Sequence, residues 1–341
     1  MTEEPERPST GVPSLAAASF SPDGKMLLTA SRDGYLMEWD PSTGRRVRVL
    51  LDPAATEDAQ APSLVRLAEN GTEVAASFRM KRLSECMRGS SLLSVCFSPD
   101  GTRFAVGAAN GAVVVWNTTS RCELLYWLAH QAAVVALDIS PDRQWLATGS
   151  LEEGGDTLRV WRLLGDWPVR GKEVLADGRL VGGAWAVCFA PDSRFVAAGG
   201  WTYSGYTAPQ IFNIETKERV KALIFETTRS MQYSPDGEMI ATGDEYGAVS
   251  IWNVESSKRI DQMEAHNDIV NVVHFSRDGL RLASGSIDGG VKIWDVSTGD
   301  QLAAYSFEGM VLTCRFSGDG RVLHVAEAAT GRDRPTMHVL A

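Results

Sequence analysis

The stretch "HNDIVNVVHFSRDGLRLASGSIDGGVKIWDVSTGD", which runs from His266 to Asp300, contains the parts of a small antiparallel sheet. The segment "NVVHF" alternates in polarity as a strand does, and the "SRDG" that follows has the residues of a reverse turn. The pattern then predicts a strand at "LRLASGS", an Asp-Gly turn, a third strand ending in "VKIWD" and a fourth at "DQLAAYSF". A sheet of this size buries little apolar surface alone, so it needs similar sheets packed on both faces.

The same turn returns along the whole chain. It reads "FSPDG" at Phe20–Gly24 and again at Phe97–Gly101, and related turns follow. Its third residue lies, in chain order, at Pro22, Pro99, Pro141, Pro191, Pro235, Arg277 and Gly318. After Pro99 the steps between these positions are 42, 50, 44, 42 and 41 residues, a period that fits four short strands per unit.

Several units end their third predicted strand with tryptophan: "EWD" at 38–40, "VWN" at 115–117, "VWR" at 160–162, "IWN" at 251–253 and "IWD" at 293–295. With the turn and the period, these endings make the chain resemble the Trp-Asp (WD) repeat family of β-propellers from about Pro13 to Ala341. The resemblance implies an all-β propeller of four-stranded antiparallel blades. We expect residues 13–341 to form this single domain, preceded by a flexible acidic N-terminal segment at residues 1–12.

The number of blades depends on the long step from Pro22 to Pro99. Within it, "SLVRLAENGTEVAAS" (63–77) aligns with "LSVCFSPDGTRFAVG" (93–107). This match favours eight candidate blades, and the alternative is a seven-bladed ring in which residues 52–90 are an insertion. The last unit ends at a third strand, "TMHVLA", and "TEEPERPST" at the other terminus makes a poor strand. Either the last blade has three strands or the chain is a piece of a longer protein.

The composition narrows the classes of partner. The formal net charge is −10, which disfavours nucleic acid and is compatible with a protein or peptide partner that carries basic residues. The five cysteines are odd in number and form no CxxC pair, so neither a disulfide framework nor a zinc site is predicted, and a reducing cytoplasm is expected. No apolar run approaches the ~18–20 residues needed to span a bilayer, so no membrane association is predicted.

The opening stretch contains His, Ser and Asp, which together suggest a catalytic triad. The family resemblance gives them another role: His266, Ser284, Asp288 and Trp294 correspond to a buried hydrogen-bond chain within one blade. A triad would occur once, whereas fragments of this set recur, as in His130, Thr148 and Trp161. We therefore interpret the set as a structural network.

No sequence motif indicates an enzyme or a cofactor. GxxxxGK, GxSxG and HExxH are absent from the chain. One ring of positions, each just before the apolar residue that opens a turn, nonetheless carries mostly polar side chains; its members are Ser19, Arg66, Cys96, Asp138, Cys188, Gln232, His274 and Arg315. The resemblance places this ring beside the central channel, so Asp138 and His274 are acid–base candidates in an alternative, enzymatic reading. The other alternative is that these residues only pack or contact solvent.

The irregular loops are better candidates for a binding surface. The loop "LEEGGD" (151–156) supplies Glu152, Glu153 and Asp156, and "GWTYSGYTAP" (200–209) supplies Trp201, Tyr203 and Tyr206. Trp185 begins a neighbouring strand, and Asp244, Glu245 and Tyr246 occupy the next turn. Aromatic residues anchor many interfaces, and carboxylates attract basic partners. The alternative is that the long loop folds over its own aromatic residues as a lid.

These observations predict a non-enzymatic protein–protein interaction scaffold or recruiting module that presents one propeller face to a protein or peptide. Two alternatives remain: an enzyme with a site at the channel mouth, and the sensor domain of a larger regulator.

Overall fold

The computed structural model describes residues 15–53, 66–67, 73–74, 87, 89–120, 123–152, 157–163, 172–177, 183–202, 205–223, 227–328 and 334–340. For residues 66–67, 73–74, 123–125, 172–177, 201–202 and 205–208 it describes the backbone only. The predicted N-terminal segment at residues 1–12 lies outside these ranges. No helix among the described residues is long and apolar enough to cross a membrane.

The described strands form seven blades in chain order, each an antiparallel sheet in which sequential strands are neighbours. Blade 1 contains β1 (Leu15–Phe20), β2 (Leu27–Ser31), β3 (Leu36–Asp40) and β4 (Arg45–Leu51). A separate hairpin pairs β5 (Arg66–Leu67) with β6 (Glu73–Val74). Blade 2 contains β7 (Leu92–Phe97), β8 (Arg103–Ala108), β9 (Ala112–Asn117) and β10 (Glu123–Leu128). Blade 3 contains β11 (Val134–Ile139), β12 (Trp145–Ser150), β13 (Leu158–Arg162) and β14 (Lys172–Asp177).

The remaining blades follow the same order. Blade 4 contains β15 (Ala186–Phe189), β16 (Phe195–Thr202), β17 (Gly205–Asn213) and β18 (Arg219–Ala222). Blade 5 contains β19 (Ser230–Tyr233), β20 (Met239–Gly243), β21 (Ala248–Asn253) and β22 (Lys258–Glu264). Blade 6 contains β23 (Val270–Phe275), β24 (Arg281–Ser286), β25 (Gly290–Asp295) and β26 (Gln301–Ser306). Blade 7 contains β27 (Met310–Phe316), β28 (Leu323–Ala328) and β29 (Pro335–Leu340), so its described part has three strands, as one of the two alternatives for closure predicts.

The ring has seven blades, and the alternative with an insertion at residues 52–90 is confirmed. The first strand of every blade contacts the first strand of the next, and β27 of blade 7 contacts β1 of blade 1. Because β1 and β7 touch directly, no blade stands between them. The eight-blade alternative is therefore wrong, and Arg66 pairs with Val74 in the small hairpin and is not a member of the channel ring.

Each blade is held mainly by packing against its neighbours. The second strands are almost entirely buried, as in all of β2 and the last five residues of β24, because adjacent blades cover both faces. The fourth strands lie at the rim and are largely exposed, as in β4. The joint between blades 7 and 1 is closed by one apolar cluster that includes Phe20 and Trp39 from blade 1 and Leu312 from blade 7. Full burial of one such side chain contributes about 1.5–3 kcal/mol.

The repeated turn connects the first and second strands of each blade. In blade 1, Ser21 Oγ donates to Asp23 Oδ1 at 2.6 Å, and the N–H of Met26 donates to Ser21 Oγ at 2.9 Å. Gly24 completes the turn with a φ of +70°, a conformation that glycine adopts without strain. We name the face of the ring formed by these turns the turn face. The opposite face contains the loops that lead into the first strands and the turns between second and third strands, and we name it the loop face.

Candidate interaction surface and central channel

The four residues of the predicted structural network lie together in blade 6. The indole N–H of Trp294 donates to Ser284 Oγ at 3.0 Å, and His266 Nε2 lies 2.8 Å from the same oxygen. On its other side, His266 Nδ1 is 3.5 Å from Asp288 Oδ1, and Asp288 Oδ2 accepts the N–H of Asn267 at 2.9 Å. Burial lowers the pKa of His266, which keeps the ring neutral at pH 7. The network therefore ties the loop before β23 to the second and third strands of its own blade.

Blade 3 builds the same network with a different acid. His130 Nε2 is 2.7 Å from Thr148 Oγ1, which also accepts the indole N–H of Trp161 at 3.0 Å. Glu152 takes the part of Asp288: its carboxylate lies 3.6 Å from His130 Nδ1 and accepts the N–H of Gln131. The side chain of Glu152 is only 11% exposed, so the structure places this predicted partner contact inside its own blade. Glu153 and Asp156 lie outside the described residues.

Replacing Ser284 with alanine should lower the free energy of unfolding by about 1–3 kcal/mol, because the indole of Trp294 and the imidazole of His266 lose their shared partner in a buried place. Urea unfolding followed by tryptophan fluorescence measures the change. Ser42→Ala is a matched control: Ser42 lies in an exposed turn, and its loss should change stability by about 0.5 kcal/mol or less. Equal effects of the two substitutions would contradict the structural role of the network.

The polar ring at the channel joins neighbouring blades. Three of its members accept a backbone N–H from the next blade, in each case from the residue that follows that blade's own ring position. Asp138 Oδ2 accepts from Phe189 at 2.7 Å and Gln232 Oε1 from Phe275 at 2.6 Å, while His274 Nδ1 faces the N–H of Phe316 at 3.5 Å.

At two further joints the N–H groups of Ile139 and Tyr233 lower the pKa values of the thiols of Cys96 and Cys188, against the larger effect of burial. Three joints thus carry a hydrogen-bonded link and two more bring an N–H to a thiol, and together these five links form a belt of acceptors.

Burial beside the channel is the main cause of the pKa shifts of the belt's acid and base. Burial raises the pKa of Asp138 to about 7, although the N–H groups of Phe189 and Ile139 and the charge of Arg315 lower it. Burial, helped by Arg315, lowers the pKa of His274 to about 3, so its Nδ1 keeps the lone pair that an acceptor needs. Both side chains of the proposed acid–base pair are therefore occupied in bonds between blades.

A second group of residues lies at the loop-face mouth of the channel, on blades 4 and 5. The guanidinium of Arg229 lies over the ring of Trp185, 3.9 Å from its centroid, and both residues are partly exposed and line the channel. The backbone N–H of Arg229 donates to the carbonyl of Gly243 at 2.8 Å, which places Arg229 next to the turn that carries Glu245. Burial lowers the pKa of Arg229, and the charge of Glu245 opposes that change. Tyr246 is the neighbour of Glu245 and is 65% exposed. We name Trp185, Arg229, Glu245 and Tyr246 the mouth cluster.

Asp244 was predicted as a residue that contacts a partner, but it is not at the surface. Asp244 is buried, and its Oδ1 accepts the N–H groups of Tyr246 at 2.9 Å and Ala248 at 2.8 Å. Burial raises the pKa of this carboxyl, against the lowering effect of these N–H groups. Asp244 therefore shapes the turn that presents Glu245 and Tyr246.

The segment predicted as a long aromatic loop is mostly a hairpin. Strands β16 and β17 have 8 and 9 residues, more than the second and third strands of the other blades, and their added residues pair Trp201 with Tyr206 and Thr202 with Gly205. The backbone of Gly200 lies against Gly183, two residues before Trp185, which places the base of the hairpin beside the mouth cluster. Tyr203 lies outside the described residues.

Sequence reasoning missed Arg229 and the acceptor belt. Arg229 belongs to no repeated motif. Its only sequence signal is its position: it lies two residues before Met231, just as Trp185 lies two residues before Val187, the equivalent residue of blade 4. The belt was visible as a row of polar residues, but its bonds connect positions 42 to 51 residues apart, one repeat away from each other.

A family model and several curated proteins match this chain. The model described as "WD domain, G-beta repeat" matches residues 7–40, 81–117, 122–162, 226–253 and 257–295, together more than half of the chain. Apoptotic protease-activating factor 1 of Rattus norvegicus is 24% identical over 253 residues, which is 69% of this chain and 19% of the rat protein. Serine-threonine kinase receptor-associated protein of Gallus gallus is 27% identical over 226 residues, covering 65% of this chain and 60% of the chicken protein.

WD repeat-containing protein SL1-17 of Schistosoma mansoni is 27% identical over 180 residues, half of this chain and 53% of that protein. The chain thus spans less than two thirds of the length of each of these relatives. The matched repeats fall within a ring of seven blades in which the turn recurs and in which an indole N–H donates to a Ser or Thr hydroxyl in blades 1, 3, 5 and 6. The chain belongs to the WD-repeat family of β-propeller proteins.

Proposed function

We propose that this protein is a non-enzymatic protein–protein interaction module that binds its partner on the loop face through the mouth cluster. The observation that carries the proposal is the stack of Arg229 on Trp185 at an open channel mouth, next to the turn that exposes Tyr246. Trp, Tyr and Arg are the residue types that contribute most to binding energy at interfaces. The guanidinium also restricts the orientation of the indole, so less side-chain freedom is lost when a partner covers it.

The charge of the surface supports a partner with basic residues. Glu245 is partly exposed within the mouth cluster, and the whole chain has a net charge of −10. A Lys or Arg of the partner can pair with Glu245, and the excess of negative charge speeds the encounter. The same charge disfavours nucleic acid as a partner. Segment 200–209, which contains Trp201, Tyr203 and Tyr206, extends the proposed contact surface; in its support, the backbone of Gly200 lies against Gly183, two residues before Trp185.

The described residues favour binding over catalysis. Asp138 and His274, the acid–base pair of the enzymatic alternative, both serve as acceptors for backbone N–H groups of the next blade. We also propose a reducing compartment such as the cytoplasm, which agrees with the free thiols of Cys96, Cys188 and Cys314.

The double variant Trp185→Ala/Tyr246→Ala should lose its partner at least thirtyfold in affinity, about 2 kcal/mol, because two aromatic anchors are removed. Affinity purification with mass spectrometry, comparing the natural protein and the variant, identifies the proteins whose capture depends on the cluster, and calorimetry with the purified partner gives the affinity. Glu245→Lys should weaken the same complex most strongly at low salt.

Ile260→Ala is the matched control, since Ile260 is also exposed, at 54%, but lies on the outermost strand of blade 5. Thermal unfolding of each variant shows whether the fold is retained. A folded double variant that captures every partner of the natural protein would contradict the proposal.

A further inference from the structure

The channel ring has one member that cannot act as an acceptor. At the position equivalent to Asp138, Gln232 and His274, blade 7 carries Arg315, whose guanidinium only donates hydrogen bonds. Arg315 is therefore unable to accept an N–H from blade 1, and the belt is interrupted at the joint where the ring closes.

The backbone N–H that Arg315 leaves without this bond is that of Phe20. Phe20 pairs with Leu27 in the same register in which Phe189, Phe275 and Phe316 pair with the second strands of their blades. In those three blades the N–H of the phenylalanine points at the ring residue of the preceding blade. By the same register, the N–H of Phe20 points towards Arg315. A backbone N–H and a guanidinium, both hydrogen-bond donors, therefore face each other at this joint.

Arg315 itself is held in an unusual environment. Its side chain lines the channel, burial lowers its pKa, and its electrostatic partner is Asp138 across the channel. The structure shows no hydrogen bond or ion pair from its guanidinium to any residue in the described part of the chain. A partly buried guanidinium with five N–H donors and no direct acceptor is a strong site for an oxyanion.

The channel is lined by two arginines, Arg277 and Arg315, on this side of the ring. Its volume is about 1060 Å³, enough for a small molecule. Five turns place a proline at the turn-face mouth, but blade 6 places Arg277 there and blade 7 places Gly318, next to which a Cβ would meet nothing within 4 Å. The three departures from the repeat, Arg277, Arg315 and Gly318, thus fall on two adjacent blades.

We propose that the central channel binds a small molecule carrying an oxyanion, a carboxylate or a phosphate group, between Arg315 and the backbone N–H of Phe20. The anion supplies the acceptor that Arg315 lacks and completes the belt at the closing joint. This site opens towards the turn face and does not depend on the proposed binding of a protein at the loop face.

The charged groups around the site give its binding a defined pH dependence. Ser19 and Gln232 carry no charge, burial raises the pKa values of Cys96 and Cys188, and burial lowers the pKa of His274, so these groups are neutral near pH 7. Asp138 is the ring member that titrates there, since burial raises its pKa to about 7. Its charged form repels an anion, and binding should tighten as the pH falls from 8 to 6.

Isothermal titration calorimetry with succinate and with inorganic phosphate, at constant ionic strength set with chloride, tests the site. The natural protein should bind at least one of the two anions saturably, and Arg315→Gln should weaken that binding at least tenfold. Arg321→Gln removes the same charge from an exposed turn of the same blade and should bind as the natural protein does. Measured with succinate, which keeps most of its charge between pH 8 and 6 whereas phosphate gains a proton within this range, Asp138→Asn should bind more tightly at pH 8 and lose most of the pH dependence, which tests the site even if Arg315→Gln does not fold.

Three results would overturn the proposal: no saturable binding of either anion, unchanged binding by a folded Arg315→Gln variant, or a pH dependence that Asp138→Asn retains. A further experiment separates small molecules from protein carboxylates. If a peptide with a free carboxyl terminus binds at Arg315, its amidated form does not, and both small anions fail, the site belongs to a protein partner and the small-molecule assignment is wrong.

Discussion

Gly247→Ala should lower the free energy of unfolding by about 2–5 kcal/mol. Gly247 has a φ of +95°, which costs an alanine about 1–2 kcal/mol, and an added Cβ would overlap the backbone carbonyl of His266. The overlap cannot be relieved by a side-chain rotation, because the atoms it involves are backbone atoms. The loop is also held in place, since the carbonyl of Gly247 accepts the N–H groups of Ala265 at 3.0 Å and His266 at 2.8 Å. Moving the loop away would break these bonds and shift the first strand of blade 6.

Gly44→Ala separates the two causes. Gly44 also has a positive φ, +68°, but a Cβ there meets nothing within 4 Å. Its replacement should cost only about 1 kcal/mol, the conformational part of the effect. Urea unfolding of both variants, followed by circular dichroism, gives the comparison. If the two losses are equal, the close approach of the loop to Gly247 does not contribute.

Asp138→Asn should stabilise the protein at pH 8 by up to about 4 kcal/mol and change its stability little at pH 4. The folded protein raises the pKa of Asp138 from 3.8 to about 7, so charging this carboxyl disfavours the fold. Each tenfold change in proton affinity corresponds to about 1.4 kcal/mol, which sets the upper limit. At pH 4 the folded protein holds the proton, and the penalty is largely absent. Asparagine keeps an oxygen that can accept the N–H of Phe189.

Urea unfolding at pH 4, 6 and 8 measures this dependence. The advantage of the variant should grow as the pH rises from 4 through 7 and then level off. Asp300→Asn, at an exposed position, should show no such trend. A constant difference across the range would show that the charge of Asp138 does not oppose folding.

The repeating unit could be predicted from the sequence because each of its signals is local. Alternating polarity, the Ser-Pro-Asp-Gly turn and the final tryptophan all lie within one stretch of about 40 residues, and the strands of blade 6 follow the prediction closely. The number of blades could not be read in this way. Residues 63–77 resemble the first half of a unit, but the count is decided by whether blades 1 and 2 touch.

The candidate site was predicted in part, because some of its residues have local sequence signals and others are brought in from another repeat. Trp185, Glu245 and Tyr246 stood out as irregular residues in turns; Trp185 lines the channel, and Glu245 and Tyr246 lie in the turn that follows Gly243, to which Arg229 is hydrogen-bonded. Arg229 joins them only through folding, since it reaches Trp185 from the next repeat. Glu152 resembled a surface charge because the family network, as in Asp288 of blade 6, has an aspartate beside the histidine, and an aspartate was therefore expected beside His130. The longer glutamate reaches the same histidine from an earlier position in the loop.

The acceptor belt and the shared apolar clusters make the joint, and not the blade, the energetic unit of the ring. Each joint combines a cluster such as that of Phe20, Trp39 and Leu312 with contacts between two repeats. Deleting an internal repeat would remove two joints and leave two surfaces that evolved for other neighbours. A single break in an exposed loop would remove none. The ring should therefore tolerate a cut chain far better than a shortened one, and its integrity depends on the circle of contacts more than on the continuity of the polypeptide.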